Sequence, residues 1–397
     1  MRCLFITLVL LMGLYAQLEV KSVSSVLLEE RGLINNPVWS RNSKALAFEF
    51  NVQTEKIKVM IYKLGSNNKA KLLYNEENSG STLLQTKDEV GSVMPTWSSS
   101  ENNTLYFLYD TYQPYFMGKL EGLSFNSIPV PLYQVEELYI SLKQNSGVSE
   151  YHSGSVEGVE YIFIRQQNSP RTIYYTDQSV PLHPLPGLDN WLDDYEGINS
   201  FSLSKEISKI IICKGVDKNK KFILGDVDIT GDDLESIDFT IASIPTKSED
   251  GVLQEPSFNP ANNNMIAYLE MVRNSERENS YQLFLQTLNT NHNLFLTDSL
   301  YRNEQNKISK ANSTSYVWHP NGNYIFFITT NAKRNVAYVD LNNISNPKIR
   351  IMKTGVEFAE QLAISPNGKY LAVMTMIASE TDDTDALGQL LILELQL

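Results

Sequence analysis

Val317-Trp318-His319-Pro320-Asn321-Gly322, followed by Tyr324-Ile325-Phe326-Phe327, is the stretch on which the reading of this chain turns. Its near copy is Ala363-Ile364-Ser365-Pro366-Asn367-Gly368, followed by Tyr370-Leu371-Ala372-Val373. Ser365 to Gly368 have the chemistry of a type I turn. Ser caps it, Pro presets φ at the second position, Asn tolerates the third and Gly favours the fourth. The aromatic and β-branched run that follows lacks helical spacing and reads as a buried strand.

The same phrase recurs outward from these two copies. Pro37-Val38-Trp39-Ser40-Arg41-Asn42-Ser43 precedes Ala45-Leu46-Ala47-Phe48, and Pro95-Thr96-Trp97-Ser98 precedes Leu105-Tyr106-Phe107. Pro256-Ser257-Phe258-Asn259-Pro260 precedes Met265-Ile266-Ala267-Tyr268. Two degenerate copies are Asn199-Ser200-Phe201-Ser202 before Ile210-Ile211-Ile212, and Tyr151-His152-Ser153 before Tyr161-Ile162-Phe163-Ile164. Seven anchors from Trp39 to Ile364 span 325 residues, six intervals of about 54. A lone hairpin cannot bury both faces, so such units must stack, and this period suits four strands with generous loops. Each unit also closes on a further strand, the last being Leu390-Leu391-Ile392-Leu393-Glu394-Leu395. That last unit lacks an outermost strand, which Ser22-Val23-Ser24-Ser25-Val26-Leu27-Leu28 is placed to supply. The expected class is all-β. It is a single closed β-propeller of four-stranded antiparallel blades, seven favoured over six, with the N-terminal strand joining the last blade to close the ring.

The Trp-Ser-Pro-Asn-Gly-like turn with its Leu-Ala-Phe strand resembles the TolB-type propeller repeat, a relative of the WD-repeat propellers. Five windows match well and two less closely, together covering nearly all of residues 17–397. The resemblance implies a stand-alone TolB-like propeller without TolB's own preceding α/β domain, and it implies no particular activity.

The 397 residues are 42% hydrophobic and 20% charged, with 21 Tyr, 16 Phe and 4 Trp, a globular composition rich in strand formers. A formal charge of -13 disfavours nucleic acid and anionic lipid, both of which need clustered Lys and Arg. Arg2, the apolar run Cys3 to Met12 and Leu14-Tyr15-Ala16 have the layout of a secretory signal peptide over residues 1–16, too short to span a bilayer. Cleavage after Ala16 leaves 32 Lys and Arg against 46 Asp and Glu, a charge of -14. Cys213 is then the one remaining cysteine, a buried thiol by its apolar neighbours Ile210 to Ile212. Export without a disulfide requires a substantial core.

Candidate chemistry is sparse. His152, His183, His292 and His319 show no zinc-ligand spacing, and His319 stands where a turn serine is usual. Gly154-Ser155-Val156-Glu157-Gly158 places its serine one position out of a nucleophile elbow. Asp226-Val227-Asp228-Ile229-Thr230-Gly231-Asp232 opens like a calcium loop, yet Ile237 holds the twelfth position where Glu is needed. Asp382-Asp383-Thr384-Asp385 reads as an exposed acidic loop. Two segments stand out: the aromatic run Tyr109 to Phe116, which reads as a hairpin packed on its neighbour with a partner-binding lip as the alternative, and the Pro-rich inter-blade connection Pro181 to Asp194. The sequence thus assigns no catalytic, cofactor or metal residue and leaves partner-binding residues open. The expected molecule is a monomeric, exported, non-enzymatic scaffold that binds a protein in a bacterial periplasm, at the cell surface or outside the cell. It neither binds nucleic acid nor inserts into a membrane after signal cleavage. The alternatives are a metal-dependent, lyase-like carbohydrate-active propeller and a small-ligand sensor of the envelope. Asn102-Asn103-Thr104, Asn312-Ser313-Thr314 and Asn343-Ile344-Ser345 are formal glycosylation acceptors in a eukaryotic source.

Overall fold

Each repeated turn folds by bonding to itself. In the computed structural model, Ser40 Oγ accepts the Ala45 N–H at 2.9 Å and Asn42 Oδ1 accepts that of Lys44 at 3.0 Å. Ser365 and Asn367 repeat the arrangement with Tyr370 and Lys369, both at 2.9 Å. The turn ends on a left-handed residue, Ser43 at φ 59°, Gly322 at 75° and Gly368 at 71°. The two glycines are also required by space. A Cβ on Gly322 would lie 2.3 Å from Asn259 Oδ1, and one on Gly368 would lie 2.4 Å from His319 Nε2.

The structure describes residues 18–28, 32–52, 57–65, 69–72, 91–110, 116–120, 130–131, 148–166, 172–177, 183–192, 197–230, 233–242, 244–273, 279–288, 290, 293–302, 315–377 and 387–396. The expected signal segment lies outside them. Among them there is no α-helix, and no helix is long and apolar enough to cross a membrane.

Among the described residues, twenty-eight strands form seven four-stranded sheets whose neighbouring strands pair antiparallel. Strand β1 (Glu19–Ser25) comes first in the chain. Sheet 1 is β2 (Leu33–Trp39), β3 (Ala45–Asn51), β4 (Lys58–Lys63) and β5 (Ala70–Leu72). Sheet 2 is β6 (Gly91–Trp97), β7 (Leu105–Asp110), β8 (Phe116–Leu120) and β9 (Val130–Pro131). Sheet 3 is β10 (Val148–Val156), β11 (Val159–Gln166), β12 (Ile173–Thr176) and β13 (His183–Pro184). Sheet 4 is β14 (Ile198–Leu203), β15 (Lys209–Lys214), β16 (Lys221–Thr230) and β17 (Asp233–Ala242). Sheet 5 is β18 (Val252–Asn259), β19 (Asn262–Arg273), β20 (Asn279–Thr287) and β21 (Asn293–Leu300). Sheet 6 is β22 (Tyr316–Trp318), β23 (Tyr324–Ile328), β24 (Val336–Asp340) and β25 (Lys348–Ile351). Sheet 7 is β26 (Ala359–Ile364), β27 (Tyr370–Ile377) and β28 (Leu387–Gln396), and its fourth strand is β1.

The first strands of neighbouring sheets lie against one another, β2 beside both β6 and β26, and β14 beside β10 and β18. The sheets therefore radiate from their first strands, and the core lies between them. Sheets 3 and 4 share Phe163, Ile212, Ile223 and Phe239. Sheets 5 and 6 share Leu269, Leu283, Phe327 and Val339, and sheets 6 and 7 share Phe326, Tyr338, Leu371 and Leu393. Sheet 7 packs back on sheet 1 through Ala372 and Ile392 against Leu46 and Phe48.

The two weak repeats differ from the expected register for local reasons. In sheet 4, Ser204 Oγ accepts the Lys209 N–H at 2.9 Å, so Ser204 is the equivalent of Ser40 and the anchor is Leu203, not Phe201. In sheet 3 the repeated turn is replaced by a two-residue hairpin, Glu157 at φ 50° and Gly158 at 91°, both left-handed.

Candidate functional site

The first strand of nearly every sheet carries a bulge near its start, with register breaks at Asn35/Val38, Val93/Thr96, Val148/Glu150, Ile198/Ser200, Gln254/Ser257 and Ala359/Gln361. A bulge withdraws backbone groups from the ladder, and here the neighbouring sheet receives them. Gln361 Oε1 accepts the Asn36 N–H at 2.7 Å, and the buried Glu49 carboxylate accepts that of Met94 at 2.6 Å. Tyr151 donates its hydroxyl to Met94 O, and Tyr316 donates to Glu255 O at 2.6 Å. Burial drives both phenols well above their usual pKa. Asn36, Met94 and Glu255 hold left-handed φ values of 48°, 54° and 47°. Counted from the five well-matched anchors, Asn36, Met94, Glu255, Ser315 and Gln361 all stand three residues ahead.

At this end of the first strands, carboxylates meet guanidinium groups at three seams. Glu150 accepts Arg165 Nε at 2.9 Å and pairs with His152 Nε2 at 3.0 Å, while Arg165 Nη1 donates to Ile198 O of sheet 4 at 3.1 Å. Burial pushes the Glu150 pKa up, but the His152 hydrogen bond and the Arg165 charge outweigh it and hold the carboxyl below its usual range. The His152 ring meets Phe201 edge-on at 4.6 Å. At the next seam, Arg302 reaches back to sheet 5, bonding Gln254 Oε1 at 2.5 Å and Glu255 Oε1 at 2.6 Å over the Tyr281 ring. Ser315 N–H and Oγ also donate to Glu255.

The third seam carries an exposed aromatic, Phe358. Tyr301, beside Arg302, donates to Glu360 Oε2 of sheet 7 at 3.1 Å, and Arg334 Nη1 bonds both that carboxylate and the Tyr301 hydroxyl. Burial and the Glu360 charge raise the Tyr301 pKa despite Arg334. The Arg334 guanidinium lies over Tyr301 at 5.0 Å and Phe358 at 5.8 Å. Phe358 is 43% exposed with a left-handed φ of 56°, and Arg334 has φ 46°. Their backbones are clamped together: Phe358 N–H bonds Lys333 O at 2.6 Å, and Ala359 N–H bonds Arg334 O at 3.1 Å. Two non-glycine residues in this region cost free energy, so the surrounding bonds hold a displayed aromatic and a guanidinium in fixed places.

The opposite end of the first strands is structural. Trp39 Nε1 donates to Ala363 O at 3.0 Å and Trp97 Nε1 to Val38 O at 2.9 Å, each reaching the preceding sheet one residue before its anchor. Glu160 of sheet 3 receives the Ser98, Ser100, Ser153 and Tyr106 hydroxyls and the Ser99 N–H and hydroxyl. Burial raises its pKa, and these donors override that and hold it low.

Of the residues weighed from sequence, His319 is buried between sheets 6 and 7, and Cys213 is buried with its thiol pushed up to about 12 by desolvation. His183 lies exposed on β13 against Tyr175. Asp226 and Asp228 are strand residues of β16, Asp226 paired with Lys209, and Ile237 is core on β17. Of the Pro181 to Asp194 connection, residues 183–192 are described, and these are pinned by buried Leu185 and Leu188, with Trp191 against Phe239. Tyr109 and Asp110 end β7 and Phe116 opens β8. Residues 111–115, His292 and Asp382 to Asp385 lie outside the described residues. Among the described residues no group of three or more His, Cys, Asp and Glu is placed to hold a metal ion. Of the seam residues, His152 alone was singled out from sequence. Arg165, Arg302, Arg334, Tyr301, Phe358 and Glu360 were missed, and the recurring position three residues ahead of the anchors reaches only Glu255 among the paired carboxylates.

No protein-family model matches the chain, and no curated protein matches it. Solved structures do. A puromycin-hydrolyzing peptidase of Mycobacterium tuberculosis aligns with TM-score 0.59 at 8% identity over 87% of this chain and 49% of that one. This chain thus spans about half of that peptidase. The β-propeller domain of Cps50 (Swd1) from Myceliophteria thermophila aligns with TM-score 0.51 at 10% identity, over 95% of this chain and 99% of that one. The fold is a β-propeller. Its sheets are blades, and the bulged first strands are the innermost ones. An oligogalacturonate lyase from Vibrio parahaemolyticus shares the propeller at TM-score 0.56 and 8% identity, over 95% of this chain and 96% of that one. These matches correct the expectation that the chain is not an enzyme. The same fold is shared with a lyase and with about half of a peptidase, and a fold does not by itself set the chemistry. Missing motifs therefore do not exclude catalysis, and identities this low show the fold alone.

Proposed function

We propose that this chain is an exported, TolB-like propeller that binds another protein, as a monomer, at the blade end bearing the bulges. Its seven blades form one ring, with blade 7 packed on blade 1 and completed by β1, in a bacterial periplasm or at a cell surface. The observation that carries the reading is the Tyr301–Arg334–Phe358–Glu360 group. It combines an exposed aromatic, a guanidinium and a buried carboxylate on strained, clamped backbone, the composition of an interface hot spot. Export is supported by the signal layout of residues 1–16 and by a mature chain whose one thiol is buried. Affinity capture from native envelope tests the reading. A partner recovered in fixed proportion by the wild type and lost with Phe358→Gly is the expected result. Failure to recover any partner sinks the scaffold role. The N-terminal sequence of the exported protein, expected to begin at or near Gln17, checks the route.

A further inference from the structure

We propose that Arg334, Phe358 and Lys333 dock an extended segment of the partner that carries an Asp or Glu carboxylate beside an apolar side chain. The inference rests on the protein-binding reading and names the chemistry at its point of contact. Arg334 uses one guanidinium nitrogen, Nη1, for both Tyr301 and Glu360. Its Nε and Nη2 have no hydrogen-bond partner among the described residues, and the side chain is 24% exposed. Glu360 is 4% exposed and is bonded by both Arg334 and Tyr301, so the carboxylate does not itself face solvent. Two spare donors thus stand in a fixed plane beside an open Phe358 ring. A planar donor pair of this kind fits a carboxylate, and the ring covers the apolar neighbour of that carboxylate. Lys333, 65% exposed, lies at the rim already paired with Glu357. Arg334 and Lys333 are matched by Glu360 and Glu357, so recognition of a carboxylate rests on the planar donor geometry and not on a basic field. The backbone clamp between residues 333–334 and 358–359 sets both side chains before binding, which lowers the ordering cost of association.

The test titrates the full exported chain with N-acetyl-Glu-Phe-amide and N-acetyl-Gln-Phe-amide by ligand-observed NMR. The Glu peptide is expected to bind with Kd on the order of 1 mM, at least about tenfold tighter than the Gln peptide. Phe358→Gly removes the ring and suits the left-handed φ, so it is expected to keep or raise thermal stability while abolishing binding. Arg334→Lys, which keeps the charge and loses the planar donors, is expected to weaken binding several-fold. Equal binding of the two peptides, or wild-type affinity in Phe358→Gly, overturns the proposal. Preference for N-acetyl-Gly-Phe with a free C-terminal carboxylate over the Glu peptide overturns the choice of a side-chain carboxylate. If no peptide binds while native capture recovers the same partner with wild type and Phe358→Gly, the docking surface falls and the scaffold stands. If capture recovers nothing, the scaffold reading falls, and the peptide titration still decides the surface.

Discussion

His319 shows how one atypical residue is accommodated. Its Nδ1 accepts the Asn321 N–H at 3.2 Å, which leaves the hydrogen on Nε2 to donate to Gly368 O, also at 3.2 Å, in the next blade. Asn259 does the same in blade 5, with Oδ1 accepting the Ala261 N–H and Nδ2 donating to Gly322 O. Burial lowers the His319 pKa below its ordinary 6.5. Because the folded value is depressed, the contribution of neutral His319 to stability is complete above about pH 6.5 and is lost as pH falls through the folded value. Urea midpoints measured from pH 7.5 to 5 are therefore expected to fall for the wild type. His319→Asn keeps both hydrogen bonds without a titrating ring. Its cost at pH 7.5 is expected to be about 1 kcal/mol or less, with a shallower acid slope. An unchanged slope would assign the acid loss to other groups.

At the scale of elements, β1 is the piece that sequence order places farthest from its partner. It pairs with β28 from Glu19↔Gln396 to Ser25↔Leu391, and Lys21 and Ser22 both bond Glu394. The surface ion pair itself contributes little, and the ladder and the Leu18 contacts with blade 6 matter more. Removing residues 18–28 bares the long edge of β28, an invitation to pairing with another chain. The shortened protein is expected to melt several degrees lower and to self-associate on size-exclusion chromatography. A synthetic peptide of residues 18–28 is expected to restore the midpoint in a saturable way. An unchanged midpoint in the shortened protein would mean that β1 is dispensable.

The whole molecule is held by seams that repeat with local variation. The indoles of Trp39 and Trp97 each donate to a carbonyl of the preceding blade, whereas Trp318 Nε1 is buried with no partner among the described residues. Trp39→Phe and Trp97→Phe are expected to cost about 1–2 kcal/mol each, since each strands a carbonyl and trims packing. Trp318→Phe is expected to cost clearly less, because it removes a donor that has nothing to lose. Denaturant unfolding by far-UV circular dichroism checks the order. Each blade shares a core cluster with at least one neighbour, so a single transition is expected in all three variants.

What the sequence determined alone was the repeat: the turns close within five residues through Ser and Asn side chains, and strands read from apolar runs. Local bonding of that kind leaves a pattern in the chain. It was blurred where the turn changed type, at Glu157-Gly158, and where Ser204 shifted the register of blade 4. The seams were decided by the tertiary structure. Glu49 meets Met94 and Tyr301 meets Glu360 across 45 and 59 residues, about one blade apart, and no local spacing marks which bulge a carboxylate will face. Neighbouring blades meet there because the bulges turn backbone N–H groups toward the preceding sheet and carbonyls toward the following one.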